Sequence, residues 1–186
     1  ILRWFIQGPD ISRWESLCLA EEVIGRQVDL VHALYLNFLE NPTDSKALHD
    51  LRTSIRALRS LLEFFSPYLK KKPIRSIRKS LHNLFLLTTQ LRELDVLIEH
   101  INKLTPTLGS LQKTCRLRRD VQSEHVTTAF TSYELHYSIK AMREILHHLP
   151  WKTDVLKEGV TQDELRKHYQ TMRLSYEKEL ASLNYE

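Results

Sequence analysis

Apolar side chains recur every three or four residues along nearly all of this chain. Leu17, Ile24, Val28, Val31, Leu34, Tyr35 and Phe38 form the first such series and predict a helix from about Ser12 to Glu40. Asn41-Pro42 ends it, because the residue before a proline is pushed out of helical backbone angles. Leu48, Leu51, Ile55, Leu58, Leu62 and Phe65 form the second series, with Thr43 or Asp44 as its N-cap. Pro67 and Pro73 bracket a basic turn, Lys70-Lys71-Lys72, and a third helix is expected from about Pro73 to Lys103. Pro106 starts a fourth, a fifth runs from about Ser123 to His148, and Pro150 to Gly159 reads as a loop. Thr161 and Glu164 have capping-box spacing at the start of a last helix that reaches about Leu183. The first dozen residues, with Gly8-Pro9, read as an irregular lead-in. No segment alternates as a strand does, so the expected class is all-α with about six helices.

Composition agrees and narrows the picture. The chain of 186 residues, one compact domain or two small ones by length, has only four glycines and six prolines, and its 42% apolar content is enough for a packed core. Cys18 and Cys115 stand apart, without zinc-site spacing or a disulfide framework, which reads as a reducing, cytoplasmic setting with no metal and no cofactor. The longest uncharged stretch, Leu81 to Leu91, is too short to span a bilayer, and no signal peptide is visible. The chain opens on Ile1 rather than Met, which leaves anything upstream undecided.

Charge changes the picture more. Between Lys46 and Arg92 there are eleven Lys and Arg residues and two acids, Asp50 and Glu63; the whole chain nets only +4. The remaining residues are therefore net acidic. Within this island His49, Arg52, Arg56 and Arg59 follow at steps of three, four and three, so on a helix they fall within an arc of about 80°. Like charges on one stripe repel by a few tenths of a kcal/mol per neighbouring pair. Such a stripe, with so few acids nearby, points to a polyanionic partner. Its arc lies beside the apolar arc, on the shoulder of the core. The third helix repeats the arrangement with Arg75, Arg78, His82 and Arg92, and Lys79 adds to it, while Asp95 and Glu99 lie on its far side. Antiparallel packing of the second and third helices places the two stripes along one groove.

A repeat at an offset of 84 residues aligns Leu48-His49-Asp50-Leu51-Arg52 with Ser132-Tyr133-Glu134-Leu135-His136. At the same offset Ile55 meets Ile139, Arg56 meets Lys140, Leu58 meets Met142 and Arg59 meets Arg143. The second copy is the weaker stripe.

These residues resemble the CHAD family, the conserved-histidine α-helical domain. Its first signature, L-H-x-L-R-x-x-x-R-x-L-R, is matched from Leu48 to Arg59. A second, roughly L-R-D-x-D-V-L, is matched from Leu91 to Leu97 with Glu93 in place of Asp. In the repeated half only Lys140 and Arg143 keep the family pattern. The resemblance implies one domain of two antiparallel helical bundles related by a pseudo-twofold axis, with repeats at about 12–103 and 104–183. It also implies a basic surface that binds inorganic polyphosphate without catalysis, in some members on polyphosphate granules. Motif positions and the stripes read from spacing together make the expected binding residues His49, Arg52, Arg56, Arg59, Arg75, Arg78, Lys79, His82, Arg92, His136, Lys140 and Arg143. Some members carry a fused triphosphate-hydrolysing tunnel domain with an E-x-E-x-K motif. The nearest string here, Glu177-Lys178-Glu179-Leu180-Ala181, lacks the lysine.

The alternatives are a nucleic-acid-binding helical module, a metal-dependent phosphohydrolase and an adaptor for an acidic protein. Trp4, Trp14 and Trp151 read as packing anchors and are not interleaved with the stripes, which counts against base stacking. His32, His100, His125 and His168 are expected at the surface or core edge. No nucleophile elbow, glycine-rich phosphate loop or helical zinc-protease pattern occurs. Because the apolar face is separate, replacing Arg52, Arg56 and Arg59 together is expected to leave the fold intact. The unequal charge of the two stripes predicts that Lys140→Ala with Arg143→Ala costs less polyphosphate affinity than Arg56→Ala with Arg59→Ala. Titration of both folded double variants with one polyphosphate sample checks this.

Overall fold

A computed structural model describes residues 11–104 and 109–183. Trp4, Gly8-Pro9 and Pro106 lie outside the described residues. Among the described residues there are eight α-helices: α1 Arg13–Glu40, α2 Ser45–Phe65, α3 Lys71–Leu87, α4 Thr89–Leu104, α5 Gly109–Phe130, α6 Tyr133–His147, α7 Thr153–Glu158 and α8 Gln162–Leu183. One 3-10 turn, Ser66–Tyr68, follows α2. The all-helical expectation holds.

The caps explain most boundaries. Ser12 and Glu15 form a reciprocal capping box at the head of α1, and Asp44 accepts the Lys46 amide at the head of α2. The expected box at Thr161 and Glu164 is present, with amide-to-side-chain bonds of 2.7 and 3.1 Å. Three boundaries differ from the periodicity. The expected third helix is two, α3 and α4, separated at Thr88. The break expected near Ser123 lies instead at Thr131-Ser132, where the Ser132 hydroxyl accepts the Leu135 amide and starts α6. The expected loop from Pro150 to Gly159 contains α7, which Gly159 terminates at φ 70. A side chain at Gly159 would also run into Arg13, 2.6 Å from its Cβ.

α1 packs along both α2 and α6, and α3 in turn packs on α2 and on α6. These four helices therefore form a ring in the order α1, α2, α3, α6. Phe38, Leu48, Ile55, Leu58, Leu62, Leu81 and Leu146 fill it, all essentially without exposure. The sequence repeat is visible in this packing. Ile55 and Ile139, Leu58 and Met142, Leu62 and Leu146, and Phe65 and Leu149 are buried pairs at the same offset. One core is shared by helices from both repeats, and this packing does not by itself display the pseudo-twofold relation between two bundles that the resemblance implies.

Polar groups hold α4 to α5 and tie α5 to the turn between α1 and α2. Arg119 Nε donates to Asp95 at 2.9 Å, Arg119 Nη1 donates to the Pro42 carbonyl at 2.9 Å, and the Ser123 hydroxyl donates to the same carbonyl at 2.8 Å. The Tyr35 hydroxyl, inside the core, donates to the Phe130 carbonyl at 2.6 Å. Trp151 is an anchor as expected: it is buried and donates its indole N–H to Glu21. Trp14 is not, since it stands 52% exposed. Both cysteines are free thiols. No helix among the described residues is long and apolar enough to cross a membrane.

Side chains of Arg119 and Asp95 are only 7% and 3% exposed, so removing one partner leaves a buried charge behind. Arg119→Met is expected to destabilise the fold by about 3–5 kcal/mol, and adding Asp95→Leu should recover a large part of that loss. Urea unfolding of the single and double variants reads both numbers.

Candidate polyanion-binding surface

The basic stripe of α2 turns toward α3. Arg52 lies flat on the Phe85 ring, its guanidinium carbon 3.9 Å from the ring centre, and Arg59 lies 5.8 Å from the same centre. Phe85 belongs to a stripe of α3 that also holds Arg75, Arg78 and His82, at steps of three, four and three. That stripe therefore faces α2, and Arg78 reaches across to Glu63 at 3.7 Å. The two helices run antiparallel: Arg52 is level with the C-terminal end of α3, and Glu63 with its middle. This seam is where the expected groove between two basic stripes would lie. Along α2, Arg52 and Arg59 are about 10 Å apart at the helical rise of about 1.5 Å per residue.

Arg52 has a second task that its spacing did not announce. Its Nη1 donates to the Phe85 carbonyl at 2.9 Å and to the Thr88 hydroxyl at 2.7 Å. The Thr88 and Thr89 hydroxyls also donate to the Phe85 carbonyl, at 2.9 and 3.0 Å. Backbone carbonyls in the last turn of a helix have no partner within it, and here three donors converge on one of them. Threonine hydroxyls that bond back to the preceding turn bend helices. Arg52 thus holds the break between α3 and α4. Arg92, one turn past the break on α4, lies in the field of Arg52. Burial lowers the pKa of Arg52, and the positive charges of Arg56 and Arg92 lower it further against the opposing influence of Glu93. An anion placed there relieves that repulsion.

The acids of the island are directed elsewhere. Asp50 pairs with Lys46, and Glu63 with Arg78, rather than with Arg52, Arg56 or Arg59. His49, Arg56, Arg75, Arg78, Lys79 and His82 are exposed, while Arg59 and Arg92 are half-buried. The result is an open seam. A hollow of about 500 Å³ bounded by Asn83, Leu86, Gln90, Gln122 and His125 contains none of these cations.

The second-repeat residues are gathered elsewhere. His136, Lys140 and Arg143 lie exposed on α6. Arg143 Nε donates to Asp29 of α1 at 2.6 Å, and His147 Nε2 lies 3.0 Å from the same oxygen. Burial of Asp29 pushes its carboxyl up, but hydrogen bonds from His147 and Arg143, with their charges, outweigh this and hold it below the ordinary carboxylate range. His32 is beside them; burial lowers its pKa, and Arg143 and His136 lower it further. The α1–α6 seam is the edge of the four-helix ring opposite the α2–α3 seam. The twelve expected residues therefore fall into two groups on opposite edges. Tyr133 opens α6, and its side chain is not among those described.

Sequence reasoning missed Phe85, Thr88, Thr89 and Asp29. Phe85 had a signal, since it continues the Arg75, Arg78, His82 stripe. The threonines had a weaker one, as paired β-hydroxyls in a long helical pattern. Asp29 had none. Among the remaining histidines, His100 and His125 are exposed, and His168 packs between the Phe64 and Tyr68 rings. Among the described residues, no group of three or more His, Cys, Asp or Glu side chains is placed to hold a metal ion.

The bonds of Arg52 overturn the expectation that all three arginines can be removed without consequence for the fold. Arg52→Ala strips a charged donor from a carbonyl and a hydroxyl and should cost about 1–3 kcal/mol. Arg56→Ala, at an exposed site, should stay within about 0.5 kcal/mol of the parent. Thermal unfolding of the two single variants separates them.

The family model described as CHAD domain matches residues 23–185. No curated protein and no solved structure matches the chain.

Proposed function

Because the chain belongs to the CHAD family, we propose that its α2–α3 seam binds linear inorganic polyphosphate and does not cleave it. The observation that carries this reading is the acid-poor cluster of Arg52, Arg56 and Arg59, faced by Arg78 and His82 of α3 and joined by Arg92 of α4. A linear polyphosphate bears a negative charge on each internal phosphate and no other recognition element, so a row of cations is what it requires. Guanidinium groups suit it, because their planar fork donates two parallel bonds to phosphate oxygens. Neutralising successive phosphates releases condensed counterions, and binding then weakens as salt rises.

The nucleic-acid reading fares less well on one observation. The aromatic ring in the seam, Phe85, already carries the Arg52 guanidinium on its face at 3.9 Å. A base seeking that face must displace a cation that is also bonded to the backbone. The hydrolase reading needs several metal-holding carboxylates beside the phosphates; Asp50 and Glu63 are engaged with Lys46 and Arg78, which leaves Glu93 as the acid whose charge acts on Arg52.

Long polyphosphate, short polyphosphate and single-stranded DNA titrated in parallel over a salt series test all three readings. Polyphosphate should bind most tightly and resist competition by the DNA. Arg56→Ala with Arg59→Ala, chosen to leave the Arg52 bonds intact, should weaken binding and flatten the log–log salt slope by about one unit per lost contact, taking the nucleic-acid value as the analogue. Equal or tighter binding of DNA would support the nucleic-acid module instead. Phosphate release on adding Mg²⁺ or Mn²⁺ would support the hydrolase.

A further inference from the structure

The two repeats place the same kind of residue in opposite surroundings. Arg59 in α2 and Arg143 in α6 are equivalent at the offset of 84 residues. The Arg59 guanidinium lies 5.8 Å from the centre of an aromatic ring. Arg143 instead meets a carboxylate, with its Nε 2.6 Å from Asp29. His147, one turn further along α6, shares that oxygen at 3.0 Å. The approach is close because Gly25, one turn before Asp29 on α1, has no side chain. A Cβ there would stand 3.3 Å from His147 Nδ1. α1 thus presents a gap and then an acid to the basic face of α6.

We propose that Asp29 is an internal counter-anion that occupies Arg143 and His147 and keeps the second-repeat stripe from binding polyphosphate, so that Asp29 sets which half of the molecule does the binding. This rests on the polyphosphate reading of the preceding subsection. A phosphate approaching Arg143 must compete with a carboxylate already in hydrogen-bond contact and is repelled by its charge. Glu63 does not play the same part in the first repeat. It reaches Arg78 at the longer distance of 3.7 Å, and its ion pair is not with Arg56 or Arg59. The pair at Asp29 is half-exposed, with Arg143 45% and Asp29 42% accessible, so its carboxylate can be removed without stranding a buried charge.

Asp29→Asn keeps the shape and removes the charge. It should raise affinity for long polyphosphate at low salt roughly two- to fivefold, the range that an exposed ion pair represents. It should also steepen the log–log salt slope by about one unit, as one further contact forms. Asp120→Asn, an equal change of charge at an exposed position of α5, should give a smaller gain. The cycle is completed with Arg143→Ala. In the parent this change should alter affinity by less than about twofold, whereas in the Asp29→Asn background it should abolish the gain. A role confined to packing α1 on α6 predicts the reverse, a lower unfolding temperature for Asp29→Asn and no gain in affinity. The inference is overturned if Asp29→Asn gains no more than Asp120→Asn. It is equally overturned if Arg143→Ala in the parent costs as much as Arg59→Ala, a comparison that needs no Asp29 variant to fold. If the parent does not bind polyphosphate at all, the underlying reading fails and this inference falls with it.

Discussion

The carbonyl of Phe85 accepts hydrogen bonds from Arg52, Thr88 and Thr89, and the arrangement of the basic surface follows from that convergence. Arg92, one turn past Thr88 on α4, lies in the field of Arg52. The same guanidinium covers the Phe85 ring, so the aromatic side chain beneath the seam is roofed by a cation. Arg52 therefore belongs to the fold and to the surface at once. That dual membership explains a cation whose own pKa is lowered by burial and by its neighbours: its bonds into the α3 terminus offset the repulsion.

The ring of α1, α2, α3 and α6 supplies the frame for this arrangement. Its interior is mostly apolar and shared between the repeats, and the polar ties within and around it are few and specific. They differ in weight. The Asp95–Arg119 pair is nearly inaccessible and also engages the Pro42 carbonyl, so losing one member strands a charge where water cannot reach it. The exposed pairs, Lys46 with Asp50 and Arg78 with Glu63, contribute little to stability. Their importance is positional, because they direct the acids of the island away from Arg52, Arg56 and Arg59. The Asp of the second family signature, Asp95, thus serves the scaffold, while the Arg of the same signature, Arg92, lies in the field of Arg52.

Equivalent helices in a repeated sequence need not present equivalent surfaces. Both α2 and α6 bury the same apolar positions, and both carry a basic stripe beside them. α2 sets its stripe against α3, an aromatic and basic face. α6 sets its stripe against α1, where Asp29 waits. What differs is the neighbour, and the neighbour decides whether a cation is available to a ligand or already occupied.

The sequence by itself determined the helical class, the capping box at Thr161, the apolar faces and the stripe from His49 to Arg59, and it narrowed the cap of α2 to Thr43 or Asp44. These are local properties: a period of three to four residues and a capping side chain act within a turn or two of the chain. The buried partners of the repeat were legible for the same reason. The break at Thr88 was not, because uninterrupted apolar periodicity reads as one helix, and the bonds that stop it come partly from Arg52, on a different helix. The division of the basic residues between two opposite edges was not legible either. Helical spacing fixes which residues share a face, but which helix that face meets depends on packing between segments distant in sequence. Asp29 makes the point most sharply: its contact with Arg143 spans 114 positions and exists only because tertiary packing lays α1 along α6.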